Sequence, residues 1–137
     1  MPIGDPMGGE TPESDIGGHL YVDAVMVPVS DFDRALEFYA EVLNLTISDD
    51  RRADGRVELS LPEGGARIVL YAPKQGEEEP GIRTGIILAT DSIYDLHKVL
   101  VDEGVEFVVK PERDRFGRLI VRILDFDGNE IEVVDCP

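Results

Sequence analysis

The sequence predicts an α+β fold in which two tandem βαβββ modules form one domain, with a curved mixed sheet around a cavity. Three observations predict it. One strand, one helix and three shorter strands can be read across residues 19–72, and the same series recurs across 83–135. Equivalent positions keep a constant offset: Asp31 and Asp91 lie 60 apart, as do Leu36 and Leu96, Asn44 and Gly104, Leu45 and Val105, and Ile47 and Phe107. By the last strand the offset is 63, setting Gly65 on Gly128 and Ile68 on Ile131. Between the modules, residues 73–82 hold two prolines, two glycines and three consecutive acids, the composition of a linker.

Ahead of the first module, residues 1–17 carry Asp5, Glu10, Glu13 and Asp15 and no basic residue, mixed with Gly, Pro, Ser and Thr. Such a segment buries too little apolar surface to offset its ordering entropy, so a disordered acidic tail is expected before a folded domain at 18–137.

The first strand is expected over His19–Val29, where Ala24 to Val29 is apolar on both parities, as in a strand covered on two faces. Asp31 then suits a helix N-cap, and Phe32, Ala35, Leu36, Tyr39, Val42 and Leu43 follow at helical spacing until about Asn44. Strands are expected at Leu45–Ser48, Arg56–Leu61 and Ala66–Tyr71, divided by the turn signals Asp54-Gly55 and Pro62-Glu63-Gly64-Gly65. In the second module Thr84–Ala89 reads as a strand and Asp91 as an N-cap. Ile93, Leu96 and Leu100 then form a helical stripe, with Gly104 as its stop. Strands at Val105–Val109, Leu119–Leu124 and Glu130–Val134 complete the repeat.

Thirteen Lys and Arg against 29 Asp and Glu give a formal charge of −16. A phosphate polyanion or an anionic lipid surface is repelled by that field, and no basic run offers an exception, so neither nucleic acid nor membrane is an expected partner. The start of the chain lacks the basic and apolar regions of a secretory signal, and a cytoplasmic protein is expected. The single cysteine, Cys136, stands next to last and suits neither a disulfide nor a catalytic thiol. No Ser sits in a Gly-x-Ser-x-Gly turn and no glycine loop of the phosphate-binding kind precedes a helix.

Over residues 19–135 the chain resembles the vicinal oxygen chelate superfamily, which includes glyoxalase I, bleomycin-resistance proteins, fosfomycin-resistance enzymes and extradiol dioxygenases. Three segments carry the resemblance: Val27 to Ala35 running into Phe38-Tyr39 and Val42-Leu43; Leu100 with Glu103 to Phe107; and Asp125-Phe126-Asp127-Gly128-Asn129-Glu130-Ile131-Glu132. The resemblance implies a duplicated βαβββ domain, commonly in a homodimer. In relatives like glyoxalase I it also implies four metal ligands on the first and last strands of both modules.

Those four positions map to Ala24, Val69, Gly85 and Glu132, and only Glu132 can bind a metal. A one-residue slip would turn Asp23 or Tyr21 inward in place of Ala24. His97 falls mid-helix on the side away from the cavity, and His19 opens the first strand, so neither is expected to be a ligand. No metal and no cofactor is therefore expected, a divalent cation with an unforeseen ligand set being the alternative.

Strand alternation predicts the lining. With Glu132 inward, Glu130 and Val134 share its face; Arg67, Val69 and Tyr71 point inward in the first module, Arg83, Gly85 and Ile87 on the fifth strand, and Arg118, Ile120 and Arg122 near and on the seventh, leaving Leu119, Val121 and Ile123 toward the helix. Arg67, Arg83 and Arg122, with Tyr71 as a flat wall, are the expected ligand-binding residues for a small organic molecule carrying a carboxylate or phosphate, because guanidinium forks match those groups. Alternatively these arginines pair with Glu58, Glu130 and Glu132. Glu132 is the catalytic candidate, an inward carboxylate able to act as general acid or base if unpaired.

The leading expectation is metal-independent binding of a small, anionic organic ligand by a homodimer. A metal-dependent lyase, isomerase or dioxygenase and a non-catalytic regulatory or interaction dimer are the alternatives.

Overall fold

A computed structural model describes residues 18–137; the expected tail at 1–17 lies outside the described residues. Eight strands and two helices follow the predicted order. They are β1 (Ala24–Pro28), α1 (Phe32–Leu36) continuing as a π-helical turn (Glu37–Val42), β2 (Thr46–Arg51), β3 (Arg56–Ser60), β4 (Arg67–Tyr71), β5 (Arg83–Thr90), α2 (Ile93–Asp102), β6 (Glu106–Arg113), β7 (Leu119–Leu124) and β8 (Glu130–Asp135). They form two four-stranded mixed sheets, ordered β1-β4-β3-β2 and β5-β8-β7-β6. In each, the first strand runs parallel to the last strand of its module and the other pairs are antiparallel. The sheets meet where β1 lies beside β5, and they do not close into a barrel.

The local causes are those of the sequence, with some differences. Asp31 caps α1 by accepting from the backbone N–H groups of Asp33 and Arg34, at 2.9 and 3.4 Å. The first strand is shorter than expected, beginning at Ala24 and not His19, because β4 starts only at Arg67, the partner of Ala24. Leu20, Tyr21 and Val22 consequently stand exposed. Asp91 is not a cap: β5 runs on through Thr90, held by the Cys136 N–H, and Ser92 takes the N-cap position. The Ile93 N–H there donates instead to the Asp135 carboxylate at 2.9 Å.

The widened turn after α1, with Leu43 N–H donating to Phe38 O, accompanies a broader buried face than helical spacing implied, since Phe38 and Tyr39 are both fully buried. Asn44 leaves it at φ 63° and Gly104 leaves α2 at φ 75°, the left-handed conformation that ends helices.

One core serves both modules. Val27, Leu59, Ile68 and Leu70 of the first sheet join Ile86, Val121, Ile123, Ile131 and Val133 of the second beneath Phe38, Tyr39, Ile93 and Leu100 of the helices. The segment from Asp125 to Asn129 ties the halves together by polar contacts. Asn129, fully buried, donates from Nδ2 to Pro28 O and to Asp125, each at 2.9 Å, and accepts the N–H groups of Gly81 and Ile82 at 2.8 and 3.0 Å. The Asp127 carboxylate accepts both the hydroxyl and the N–H of Ser30. This stretch thus does more than close a hairpin, which is all its turn chemistry indicates. No helix among the described residues is long and apolar enough to cross a membrane.

Candidate functional site

Alternation along the second sheet decides which side chains meet. Val121 and Ile123 enter the core and Leu119 packs against it, while Ile120 and Arg122 face the opposite side. There they line a cavity of about 640 Å³ with Arg83 and Ile87 of β5, Glu132 of β8, Val109 and Glu112 of β6, and Arg113, Asp114, Arg115, Phe116 and Arg118 at the β6–β7 hairpin tip. Arg83 pairs with Glu130 across β5–β8, at 3.3 Å between Nε and Oε2. Glu132 is engaged on both oxygens: Arg122 Nε stands 3.1 Å from Oε1 and Arg118 Nη2 stands 3.5 Å from Oε2.

The hairpin tip is held by Asp114. Its carboxylate accepts the N–H groups of Phe116 and Arg118, each at 2.9 Å, and pairs with the Arg118 guanidinium at 3.0 Å. Desolvation opposes ionisation of this carboxyl, but the Arg118 and Phe116 hydrogen bonds and the Arg118 charge outweigh it and hold its pKa below the usual Asp value. Arg113 donates to Gly117 O at 2.9 Å, and the Arg115 guanidinium lies 4.9 Å from the Phe116 ring centroid. Arg115 has no carboxylate partner among the described residues.

In the first module the corresponding face is more tightly paired. Glu58, nearly buried, takes Arg56 at 2.6 Å on one oxygen and Arg67 on the other, and Arg67 also reaches Asp23 at 2.8 Å. Arg67 borders a different cavity, of about 850 Å³, at the seam between the sheets, with Val25, Ile68, Ile86 and Leu88. Tyr71 ends β4 beside Pro28 and opposite Arg56. Desolvation and then the nearby Glu78 and Glu77 raise its phenol pKa.

Of the residues singled out by sequence, Arg83, Arg122 and Glu132 therefore share one cavity, and Arg67 and Tyr71 stand apart from it. Arg113, Arg115 and Phe116 were not foreseen. Their signal was legible in Arg113-Asp114-Arg115-Phe116-Gly117-Arg118, three arginines in six residues of a chain short of basic ones.

The strand register revises the metal-position mapping without enriching it. Met26, not Ala24, lies beside Val69, and Ile87 lies beside Glu132, while Gly85 sits inside a bulge. Asp23 is committed to Arg67, and His97 stacks edge-on against Phe107 at 5.1 Å. The positions as the register sets them, Met26, Val69, Ile87 and Glu132, carry one donor side chain, and no three His, Cys, Asp or Glu side chains converge among the described residues.

A family model described as the Glyoxalase/Bleomycin resistance protein/Dioxygenase superfamily matches residues 21–133. A solved member of that superfamily from Sphaerobacter thermophilus DSM 20745 is 30% identical with a TM-score of 0.78, covering 86% of this chain and 98% of its own. TnmS3, an antibiotic binding protein from Streptomyces sp. CB03234, superposes with a TM-score of 0.76 at 24% identity over 87% of this chain and 98% of its own. An integron cassette protein from the mobile metagenome of Halifax Harbour sewage outfall gives 0.71 at 19% identity, over 84% and 97%. No curated protein matches.

Proposed function

Because this chain belongs to the glyoxalase/bleomycin resistance protein/dioxygenase superfamily, we propose that it is a small-molecule-binding protein that takes an organic anion into the second-module cavity without a divalent metal. The observation that carries this reading is local charge. Arg83, Arg113, Arg115, Arg118 and Arg122 line the cavity against Glu112, Asp114 and Glu132, with Glu130 paired to Arg83, and Arg113 and Arg115 meet no carboxylate among the described residues, a cationic excess in a chain of net charge −16. A concavity lined by an excess of one sign of charge focuses such a field and draws anions to it.

Two features make the site suited to holding. Arg122 is fixed by Glu132, and Arg118 by Glu132 and Asp114, so both guanidiniums are pre-oriented and lose little freedom on binding. Ile87, Val109 and Ile120 supply an apolar floor for the organic part of a ligand. Glu132 serves here as the orienting partner of two cations, not as a proton donor, since both its oxygens are occupied. TnmS3 supports a binding role only as an instance of what this fold can do; its likeness carries the architecture.

Inorganic phosphate is the simplest probe. Titrated into the protein and followed by NMR at the arginine side-chain N–H signals, it is expected to shift those of Arg83 and Arg122, and Arg83→Ala or Arg122→Ala should weaken the response at least about fivefold, the loss of one charge-assisted contact. Equal affinity in both variants, or shifts confined to the first module, would sink the reading.

A further inference from the structure

We infer that the β6–β7 hairpin tip makes this cavity selective for flat aromatic acids, with Phe116 as the stacking surface and Arg115 as the cation for the acid group. The inference rests on the anion-binding reading above and narrows it to a ligand class.

Phe116 is the first support. It is 69% exposed at a hairpin tip, where a polar residue would ordinarily stand, yet it lines the cavity together with Arg83, Arg122 and Glu132. Its backbone is not free to carry the ring away, because its own N–H and that of Arg118 are both tied to Asp114. An exposed aromatic ring on a fixed backbone presents apolar area at small entropic cost, which is what a stacking platform needs.

Charge is the second support. The Arg115 and Arg118 guanidiniums lie 4.9 and 5.7 Å from the Phe116 ring centroid. Arg118 is neutralised by Asp114 and Glu132, whereas Arg115 meets no carboxylate among the described residues and Arg113 meets only the Gly117 carbonyl. The tip therefore sets uncompensated positive charge over an aromatic ring that is still largely exposed for stacking. A neutral aromatic leaves that charge unmatched, and an aliphatic acid leaves the ring bare. An aromatic carboxylate or sulfonate satisfies both.

The probes are 2-naphthoate, cyclohexanecarboxylate and 2-naphthalenemethanol, with affinity measured by NMR titration. The wild-type protein is expected to bind naphthoate at least about fivefold more tightly than either other compound. Phe116→Ala should abolish the preference over cyclohexanecarboxylate, and Arg115→Ala the preference over the alcohol. Both side chains are surface-exposed, so the variants should fold; unchanged amide spectra away from the tip will verify it. Equal binding of the three compounds, or preferences that survive both substitutions, overturns the inference. If phosphate still responds to Arg83→Ala while naphthoate does not bind, the hairpin assignment fails and the anion site stands; if phosphate also ignores Arg83 and Arg122, the underlying reading fails with it.

Discussion

Tyr39 and Asp125, 86 residues apart in the chain, share a hydrogen bond of 2.6 Å in the interior, the phenol donating to Oδ2. Tyr39 is fully buried and Asp125 is 5% exposed. The same carboxylate accepts the N–H groups of Asp127 and Asn129 and the Asn129 side-chain amide, so four donors meet one buried charge. A carboxylate in such a place is tolerable only because its lone pairs are filled. The phenol comes from the helix of the first module and the carboxylate from the last hairpin of the second, so the contact helps to fix how the two halves meet.

Tyr39→Phe removes one of those donors and leaves the ring packing intact. Hydrogen bonds to charged groups contribute ~1.5–3 kcal/mol, and a loss in that range is expected in urea unfolding. Burial and then the Asp125 charge raise the Tyr39 phenol pKa well above the usual value. A raised value for a group that is neutral when protonated means stability is fully present below the ordinary phenol range, about pH 10, and falls as pH rises above it. The wild-type protein should therefore lose stability in alkali more steeply than Tyr39→Phe, and parallel pH profiles would contradict the argument.

How much of this was legible depends on the range of the interaction involved. The Asp31 cap is local, and it stands where its spacing put it. Asp91 failed as a cap because the choice was made by Asp135, 42 residues from the Ile93 N–H it accepts. Duplicated spacing revealed the modules, and alternation placed Arg122 and Glu132 on the cavity side. It could not show that Arg67 borders a separate hollow, since that depends on how the sheets abut. The hairpin tip was missed because the sixth strand was expected to stop at Val109. It runs to Arg113 through Pro111, which an edge strand tolerates because the missing N–H faces no partner.

Acid should loosen the hairpin tip. Asp114 is held below the ordinary carboxylate value, so its contribution is present above that value, about 3.9, and is lost as pH falls through the lower folded one. Amide signals of Phe116 and Arg118, both bound to Asp114, are expected to titrate together with a midpoint below about 3.9. A midpoint at or above that figure would mean that Arg118 does not stabilise the charge.

Glu132→Gln separates the orientation that Glu132 gives its two arginines from the charge it cancels. The substitution keeps the side chain's shape and removes the charge that Arg118 and Arg122 now neutralise. The amide oxygen of Gln can still accept from a guanidinium, so orientation is largely kept while the competing charge is lost, and phosphate binding should tighten by roughly fivefold, the equivalent of ~1 kcal/mol for a partly exposed ion pair. Weaker binding in the variant would show that arginine orientation by Glu132 matters more than the charge it cancels.

Gly85 offers a test of backbone strain free of steric contact. Between Arg83 and Ile87 the register of β5 against β8 shifts, and Gly85 sits within that bulge at φ +77°. A Cβ added there would meet nothing within 4 Å, so Gly85→Ala probes conformation alone. Holding an L-residue in this left-handed region costs ~1–2 kcal/mol. The bulge is also what brings Ile87 opposite Glu132, two residues beyond the position that even alternation from Arg83 implies. Two results are therefore expected of Gly85→Ala: a stability loss of about that size in urea unfolding, and weaker phosphate binding as Ile87 and Arg83 shift within the cavity lining. Stability unchanged within ~0.3 kcal/mol would mean that the strand relaxes to ordinary extended geometry at no cost, and that the bulge is not what sets the spacing of the cavity wall.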